Sequence, residues 1–207
     1  GEPMYVFYGY VEDGYDENGH IVYKNMDDDP AITAADKTII GDPNPDFLVN
    51  LTTAVSYKGF TLSAFFQSSI GNDIYSLSMA AQAYDYGYNG NTLREVYYNH
   101  WTPENPTAKY PNLDQTSYKM SDRFVYDGSF VRLKNLELAY DVPCARNKFI
   151  KRARVYVSAQ NLFTITSYPF WDPDINANGG GSSMIQGVDS YCYPSARTYT
   201  IGCRLTF

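Results

Sequence analysis

Two stretches of the chain combine aromatic rings with carboxylates and amides, the side chains that bind polar ligands such as sugars. They lie at residues 84–89 and 168–172. Flat aromatic faces stack on sugar rings, while Asp and Asn form directional hydrogen bonds with hydroxyl groups. The alternative is that these aromatics pack their own loops or belong to the interfacial belt of a membrane protein. The residues predicted to contact a ligand or partner are Tyr84, Asp85, Tyr86, Tyr88, Asn89, Tyr168, Phe170, Trp171 and Asp172.

Few features of the chain indicate catalysis. The two histidines, His20 and His100, have no accompanying Ser or Cys motif that would complete a nucleophilic site. Carboxylates are plentiful, but they fall in predicted turns, where Asp supports local hydrogen bonds. The glycines at 179–181 do not stand between a strand and a helix, as a phosphate-binding loop does. We therefore expect no enzyme activity and no cofactor.

Metal binding and disulfide bonding are also not indicated. The three consecutive aspartates at 27–29 could bind calcium, but they lack the alternating ligand spacing of a dedicated loop. A solvated acidic turn explains them better. Cys144, Cys192 and Cys203 are an odd number of cysteines without metal-site spacing. The sequence predicts neither a metal site nor a disulfide bond.

The composition favours a β-rich protein and excludes several classes. Aromatic residues make up 16% of the 207 residues, a fraction typical of strands and interfacial surfaces rather than of disordered chains. The net charge of −7 argues against nucleic-acid binding, which requires a basic surface. No apolar run is long enough for a transmembrane helix, and the first residues do not form a signal peptide. A secreted or outer-membrane protein must have a signal peptide, so we expect the chain to be mature or a fragment, and a fragment is the favoured interpretation.

The last residues of the chain alternate strictly between apolar and polar side chains. Successive side chains of a strand point to opposite faces, so this pattern predicts a strand with two different faces. Its length also suits a tilted transmembrane strand. The apolar positions are Tyr199, Ile201, Cys203, Leu205 and Phe207, and the polar positions are Thr198, Thr200, Gly202, Arg204 and Thr206.

Period-two patterns predict further strands upstream. Residues 47–57 and 60–69 alternate on either side of Lys58-Gly59, which predicts a hairpin with a two-residue turn. The apolar phase shifts between Leu133 and Leu136, which predicts a β-bulge. Asn18-Gly19 predicts a turn that returns a first strand into residues 20–23. The predicted strands lie near 4–11, 47–57, 60–69, 129–140, 153–166 and 196–207, and a helix is expected near 74–83.

The connections between these strands alternate in length. The segments 12–46, 70–124 and 167–194 are long, whereas 58–59 and roughly 141–153 are short. Outer-membrane β-barrels have short periplasmic turns and long extracellular loops, with the C-terminus in the periplasm. The order therefore favours an all-β, antiparallel transmembrane barrel. A soluble secreted β-sandwich that binds glycans through exposed tyrosines remains the alternative.

Several short motifs follow one another along the chain: IGDPNPDF at 40–47, SYKGF at 56–60, GNDIY at 71–75, WTPENP at 101–106, SDRF at 121–124, SFVRLKNL at 129–136, QNLFT at 160–164 and the terminal strand. They resemble motifs of the C-terminal end of SusC/RagA-type TonB-dependent outer-membrane transporters. Thr200-x-Gly202-x-x-Leu205-x-Phe207 also resembles the C-terminal insertion signal of bacterial outer-membrane barrels. In that class of protein the barrel-assembly machinery recognises the last strand. The order and spacing of the motifs are similar to those of the transporter family, and together they cover nearly the whole chain.

The resemblance implies an importer in the Gram-negative outer membrane. Such a transporter has a barrel of about 22 strands and an N-terminal plug. It is energised through the TonB complex and takes up oligosaccharides or peptides delivered by a SusD-like lipoprotein lid. Residues 1–207 would be the C-terminal part of the barrel, without the plug that contacts TonB. The expected partners are thus the lid, TonB through the absent plug, the assembly machinery, the substrate and outer-membrane lipid.

Overall fold

The computed structural model describes residues 1–84, 91–115, 117–144, 149–175 and 186–207. These residues form twelve strands and two α-helices. None of the helices in the described part of the chain has the length and apolarity needed to cross a bilayer. The strands are β1 (Phe7–Gly9), β2 (Glu12–Tyr15), β3 (Ile21–Tyr23), β4 (Thr38–Gly41), β5 (Phe47–Tyr57), β6 (Phe60–Ile70), β7 (Asp73–Ser76), β8 (Val125–Asp127), β9 (Phe130–Val142), β10 (Arg152–Thr166), β11 (Val188–Asp189) and β12 (Thr198–Thr206); the helices are α1 (Leu77–Tyr84) and α2 (Arg94–Tyr98).

The chain divides into two compact units. The first comprises Gly1–Asn44, Asn72–Asp127 and Ile175–Cys192, and the second comprises Pro45–Gly71, Gly128–Asp174 and Tyr193–Phe207. The long strands all belong to the second unit. The first unit contains the short strands and both helices.

The second unit is a five-stranded antiparallel sheet in which the strands follow one another in chain order. Its spatial order is β12-β10-β9-β6-β5, so each strand pairs with the next long strand of the sequence. Strands β5 and β12 each have one unpaired edge among the described residues. The all-β antiparallel fold class predicted from the sequence is confirmed, and the long strands lie where the alternating patterns are.

The two faces of this sheet differ in polarity. Leu62, Leu138, Val157 and Ile201 are cross-strand partners and form a row across four strands. The adjacent row consists of Ser63, Glu137, Ser158 and Thr200, on the opposite face. No charged residue lies on the apolar face in the paired register of the described strands. The period-two sequence pattern therefore produces an uncharged face and a polar face.

A bulge lies where the apolar phase of β9 shifts. Phe65 pairs with Asn135, but Phe66 pairs with Leu133, so Lys134 is the extra residue of β9. The register of β10 against β9 shifts at the same place. Because of the extra residue, Leu133 and Leu136 lie on the same, apolar face although they are three positions apart in the sequence. A bulge has this effect because it shifts the alternation of side chains by one residue. The predicted bulge is confirmed.

The β5–β6 hairpin closes through the predicted two-residue turn. Tyr57 pairs with Phe60, and the two turn residues, Lys58 and Gly59, have φ angles of 47° and 86°. Positive φ at both central positions is typical of the type I′ turn that matches the twist of a hairpin. Gly adopts this conformation without strain, whereas Lys does so at some cost.

The first unit consists of small sheets joined by side-chain contacts. Strand β1 pairs with β4, β2 pairs with β3, and β7 pairs with β8 and β11. In its core the rings of Phe7 and Tyr75 lie 5.9 Å apart, and Ile74 is 1% exposed. Between its elements, Arg123 donates to Glu12 with an Nε–Oε2 distance of 2.6 Å.

Three details of the first unit differ from the sequence predictions. Residues 21–23 return against β2 rather than against the first strand. Strand β1 is shorter than predicted, and the Tyr10 N–H beyond it donates to the Met120 carbonyl over 2.9 Å. Ile74 lies in β7 rather than in a helix, because its backbone pairs with Tyr126. Long-range backbone bonds, which leave no trace in local patterns, cause these differences.

Candidate functional site

A buried arginine on the polar face of the sheet anchors the candidate site. Arg132 is 1% exposed and lies in β9, opposite Thr164 of β10. A buried guanidinium requires partners for its donors, since an unpaired buried charge is costly. Arg132 donates to Asp172 and, over 3.1 Å, to the Ser195 hydroxyl; its Nε donates to the Thr164 hydroxyl over 2.9 Å. The arginine thus joins β9, β10 and the segments around them.

Asp172 is the main counter-ion of this arginine. Its Oδ2 accepts the Ser195 N–H over 2.8 Å, and its Oδ1 accepts the Asp174 N–H over 2.9 Å. Burial raises the pKa of Asp172, but these N–H groups and the Arg132 guanidinium outweigh burial and hold the pKa below its ordinary value. The carboxylate is therefore charged and fixed in position at neutral pH.

Two further charges surround this ion pair. Arg132 Nη1 lies 3.3 Å from Asp174, and Lys134 Nζ lies 3.7 Å from the same carboxylate. Lys134 is the extra residue of the bulge in β9. The bulge therefore adds a positive charge next to the loop that follows β10.

A polar cavity of about 490 Å³ opens beside the ion pair. Its volume falls in the range typical of small-molecule sites. All of its wall belongs to the second unit, and it includes hydroxyl, amide, carboxylate and guanidinium groups together with one indole. The lining residues are Arg132, Asn161, Thr164, Thr166, Trp171, Asp172, Pro173, Pro194, Ser195 and Arg197.

Two lining residues, Arg197 and Trp171, have functional groups that remain available to a ligand. Arg197 is exposed and has no hydrogen bond or ion pair within the part of the chain that the structure describes. Trp171 is 59% exposed and stacks on Phe170 at a centroid distance of 5.0 Å and an interplanar angle of 22°. Phe170 covers one face of the indole, while much of the rest is open. A free cation and a supported aromatic surface therefore lie on the same cavity.

The sequence-predicted contact residues fall into three groups. Trp171 and Asp172 line the cavity, and Phe170 supports the indole. Tyr168 is only 4% exposed, and Thr166 Oγ1 accepts its backbone N–H over 3.1 Å, so this tyrosine lies inside its loop. The other group lies outside the described residues: the side chain of Tyr84 and the whole of Asp85, Tyr86, Tyr88 and Asn89.

Of the ten residues that line the cavity, the sequence predicted only Trp171 and Asp172. Arg132 and Thr164 sit at polar positions of alternating strands, where nothing local distinguishes them from solvated residues. Asn161 has a φ of 52° beside the bulged register, which the bulge pattern in β9 could have indicated. Arg197 precedes the last strand, and its lack of a partner appears only in three dimensions.

The apolar face of the sheet is the second candidate surface. The four residues of its central row are between 44% and 83% exposed. An exposed apolar patch of this extent marks contact with lipid or another protein. Of the predicted insertion-signal residues, Thr200 and Gly202 lie on the polar face, whereas Leu205 lies on the apolar face.

The acidic turn and possible metal ligands have a local explanation. Asp27 accepts the Asp29 N–H over 2.9 Å, and Asp29 accepts the Ala31 N–H over 3.0 Å. No group of three or more potential metal ligands occurs among the described residues. These aspartates stabilise turns of their own segment.

The comparisons with known proteins cover the whole chain. It is 32% identical to a TonB-dependent receptor of Formosa agariphila, over 100% of its own length and 22% of that protein. It is 30% identical to TonB-dependent receptor SusC of Bacteroides thetaiotaomicron, over 97% of its own length and 19% of that protein. The chain therefore spans about a fifth of the length of these relatives.

A solved structure shows the same fold. The RagAB peptide importer in its open-open state matches with a TM-score of 0.77 and 26% identity. The match covers 98% of this chain and 22% of that chain. No family model matches the sequence.

Proposed function

We propose, from the premise that the chain has the sequence and fold of a SusC/RagA-type TonB-dependent receptor segment, that it forms one wall of an outer-membrane nutrient importer. The observation that carries the proposal is the division of the five-stranded sheet into an uncharged face and a polar face. This is the arrangement a wall requires when lipid lies on one side and a solute pathway on the other.

The apolar face suits a bilayer. Val157 and Ile201 lie on this face with 47% and 83% exposure, and a soluble sheet with such a face would bury it against a second layer. Strands of this length span the hydrocarbon core when tilted. The soluble sandwich requires these side chains to be buried, so their exposure favours the barrel.

The polar face suits a pathway for hydrophilic solutes. It carries ion pairs as well as hydroxyl groups, for example Arg154 with Asp141 at 3.5 Å and with Glu137 at 3.9 Å. The cavity beside Arg132 lies on this face. We propose oligosaccharides or peptides as the solutes, because the family resemblance implies both classes and the similar RagAB is a peptide importer. Transport would draw its energy from TonB through a plug outside this segment.

The remaining parts have roles in the same proposal. The segments 12–46, 70–124 and 167–194 are extracellular loops that face the substrate and a SusD-like lipoprotein. The C-terminus is periplasmic. Thr200, Gly202, Leu205 and Phe207 present the last strand to the barrel-assembly machinery, and Phe207 is 71% exposed and accessible for that recognition.

Fractionation of cells that express the full natural gene product tests the proposal. We expect the protein in the outer membrane, with a band that shifts on heating before electrophoresis. Deletion of Phe207 should abolish both the membrane location and the shift, whereas Phe207→Tyr, which keeps an aromatic terminus, should preserve them. A soluble product that does not shift on heating and is indifferent to the deletion would contradict the importer.

A further inference from the structure

The cavity beside Arg132 contains an unused cation next to a supported indole. Arg197 contributes a guanidinium with no partner in the described residues, and Trp171 contributes an aromatic surface that Phe170 holds from one side. We infer that this cavity is a subsite for an acidic sugar unit, whose ring stacks on Trp171 and whose carboxylate binds Arg197. The inference rests on the proposed import function and specifies its substrate class.

The local charge favours an anion although the chain as a whole is acidic. Among the residues that the structure describes, Arg132, Lys134 and Arg197 face two carboxylates, Asp172 and Asp174. The two carboxylates are occupied by Arg132 and Lys134, which leaves Arg197 as the uncompensated charge. In a chain of net charge −7, this excess is a local feature. A planar guanidinium binds a carboxylate through two parallel hydrogen bonds.

The other lining groups suit the hydroxyl groups of a sugar ring. Thr164 Oγ1 accepts from Arg132 Nε over 2.9 Å, so its own O–H remains available to donate. The indole packs against the apolar C–H face of a pyranose, as aromatic rings do in sugar recognition. Carboxylate, hydroxyl groups and an apolar ring face on one unit are the features of a uronic acid.

A peptide is the competing ligand for this cavity, because extended peptides can bind by adding a strand to a free sheet edge. Strand β9 is paired on both sides along the cavity floor, whereas in the described residues β10 pairs with β12 only as far as Gln160. The side chains that line the cavity include hydroxyl and guanidinium groups and an indole, which match a compact ring that carries hydroxyl groups and a carboxylate.

Calorimetric titration of the intact receptor in detergent with trigalacturonate tests this inference. Galactotriose is the uncharged probe and triglutamate is the peptide probe. Arg197→Gln and Trp171→Ala should each weaken trigalacturonate binding by about tenfold or more, since a charge-assisted contact or a stacking surface is lost. Arg204→Gln is the matched control. It removes the same charge from the last strand, about 23 Å further along at 3.3 Å per residue, and should leave binding within about twofold of the wild type.

Each other outcome overturns the subsite. Equal binding of trigalacturonate to Arg197→Gln, equal binding of galactotriose to the wild type, or no binding of any probe would contradict the acidic-sugar assignment. Binding of triglutamate alone, dependent on Arg197, would assign the cavity to acidic peptides instead. The Arg197→Gln, Trp171→Ala and Arg204→Gln variants should all keep the membrane location and the heat-shifted band. Failure of the subsite is therefore distinguishable from failure of the importer proposal.

Discussion

The Arg132–Asp172 contact is the most constrained one in the candidate site. Both side chains are buried, and the guanidinium also bonds Ser195 and Thr164. Removal of one partner from a buried ion pair leaves the other charge uncompensated, which costs far more than the net contribution of the pair. The contact therefore fixes the loop after β10 to the polar face of the sheet, and with it the position of Trp171.

Removal of Asp172 should destabilise the protein strongly. We expect Asp172→Ala to lower the free energy of unfolding by about 3–5 kcal/mol, because Arg132 stays buried without its main counter-ion. Asp174→Ala is the control. Its side chain is 37% exposed, so we expect a loss of no more than about 1 kcal/mol. Urea titration of the intact receptor in phospholipid vesicles measures both, and equal losses would refute the anchoring role of Asp172.

The Asp172→Ala variant should also show how the stabilisation by Asp172 depends on pH: the contribution should decrease on acidification. The pKa of Asp172 is lowered by folding, so its stabilisation is fully present above the ordinary aspartate pKa of about 3.9. It is lost as the pH falls through the lower pKa of the folded state. The difference in unfolding free energy between wild type and Asp172→Ala should therefore be constant from about pH 7 to 5 and shrink below about pH 4. A difference that grows on acidification would contradict the assigned direction.

At the scale of the strand, β10 presents opposite environments at neighbouring residues. Val157 lies on the uncharged face and Ser158 on the polar face. Val157→Arg should block stable insertion, since an arginine on the lipid face costs about 2–4 kcal/mol near the bilayer centre. Ser158→Arg adds the same side chain on the other face and should be tolerated. We expect the heat-shifted band to be lost in Val157→Arg only. Loss in Ser158→Arg only would show that the face assigned to the solute pathway is the one that contacts lipid.

Period-two patterning determined how much of the fold was predictable. Strands β5, β6, β9, β10 and β12 have two faces of different polarity, so their positions and the bulge at Lys134 follow from the sequence. The short strands of the first unit owe their order to distant contacts such as Glu12 with Arg123. Local patterns do not encode such contacts, which explains the incorrect partner assigned to β3.

The candidate site was predictable only in part for the same reason. Trp171 and Asp172 stood out by type and spacing, whereas the burial of Arg132 depends on a loop forty residues away in sequence. Gly202 shows a further limit. The sequence assigns it to an insertion signal, but an added Cβ would lie 2.5 Å from the ring of Tyr156 on β10. This glycine therefore also has a packing role that its motif does not reveal.

At the scale of the whole molecule, the five-stranded sheet is open at both edges among the described residues. Strands β5 and β12 end it with unpaired edges among the described residues, and all of β5 is exposed. Open edges are not tolerated in hydrocarbon, where every backbone polar group requires a partner in the protein. Five strands are also too few to close a transmembrane barrel, for which eight is the smallest common number. In the proposed membrane setting, the sheet would therefore pair with additional strands at both edges.

The 207-residue chain on its own should accordingly fail to form a closed barrel. When it is refolded into detergent micelles, we expect oligomers joined through β5 and β12, because edge pairing is the available way to satisfy the exposed backbone groups. Size-exclusion chromatography with light scattering measures the mass, and electrophoresis with and without heating reports closure. The intact receptor, refolded in the same way, is the control and should give one heat-shifted band. A monodisperse monomer of the isolated chain with a heat-shifted band would show that the sheet closes by itself, and it would contradict the assignment of this chain to one wall of a larger barrel.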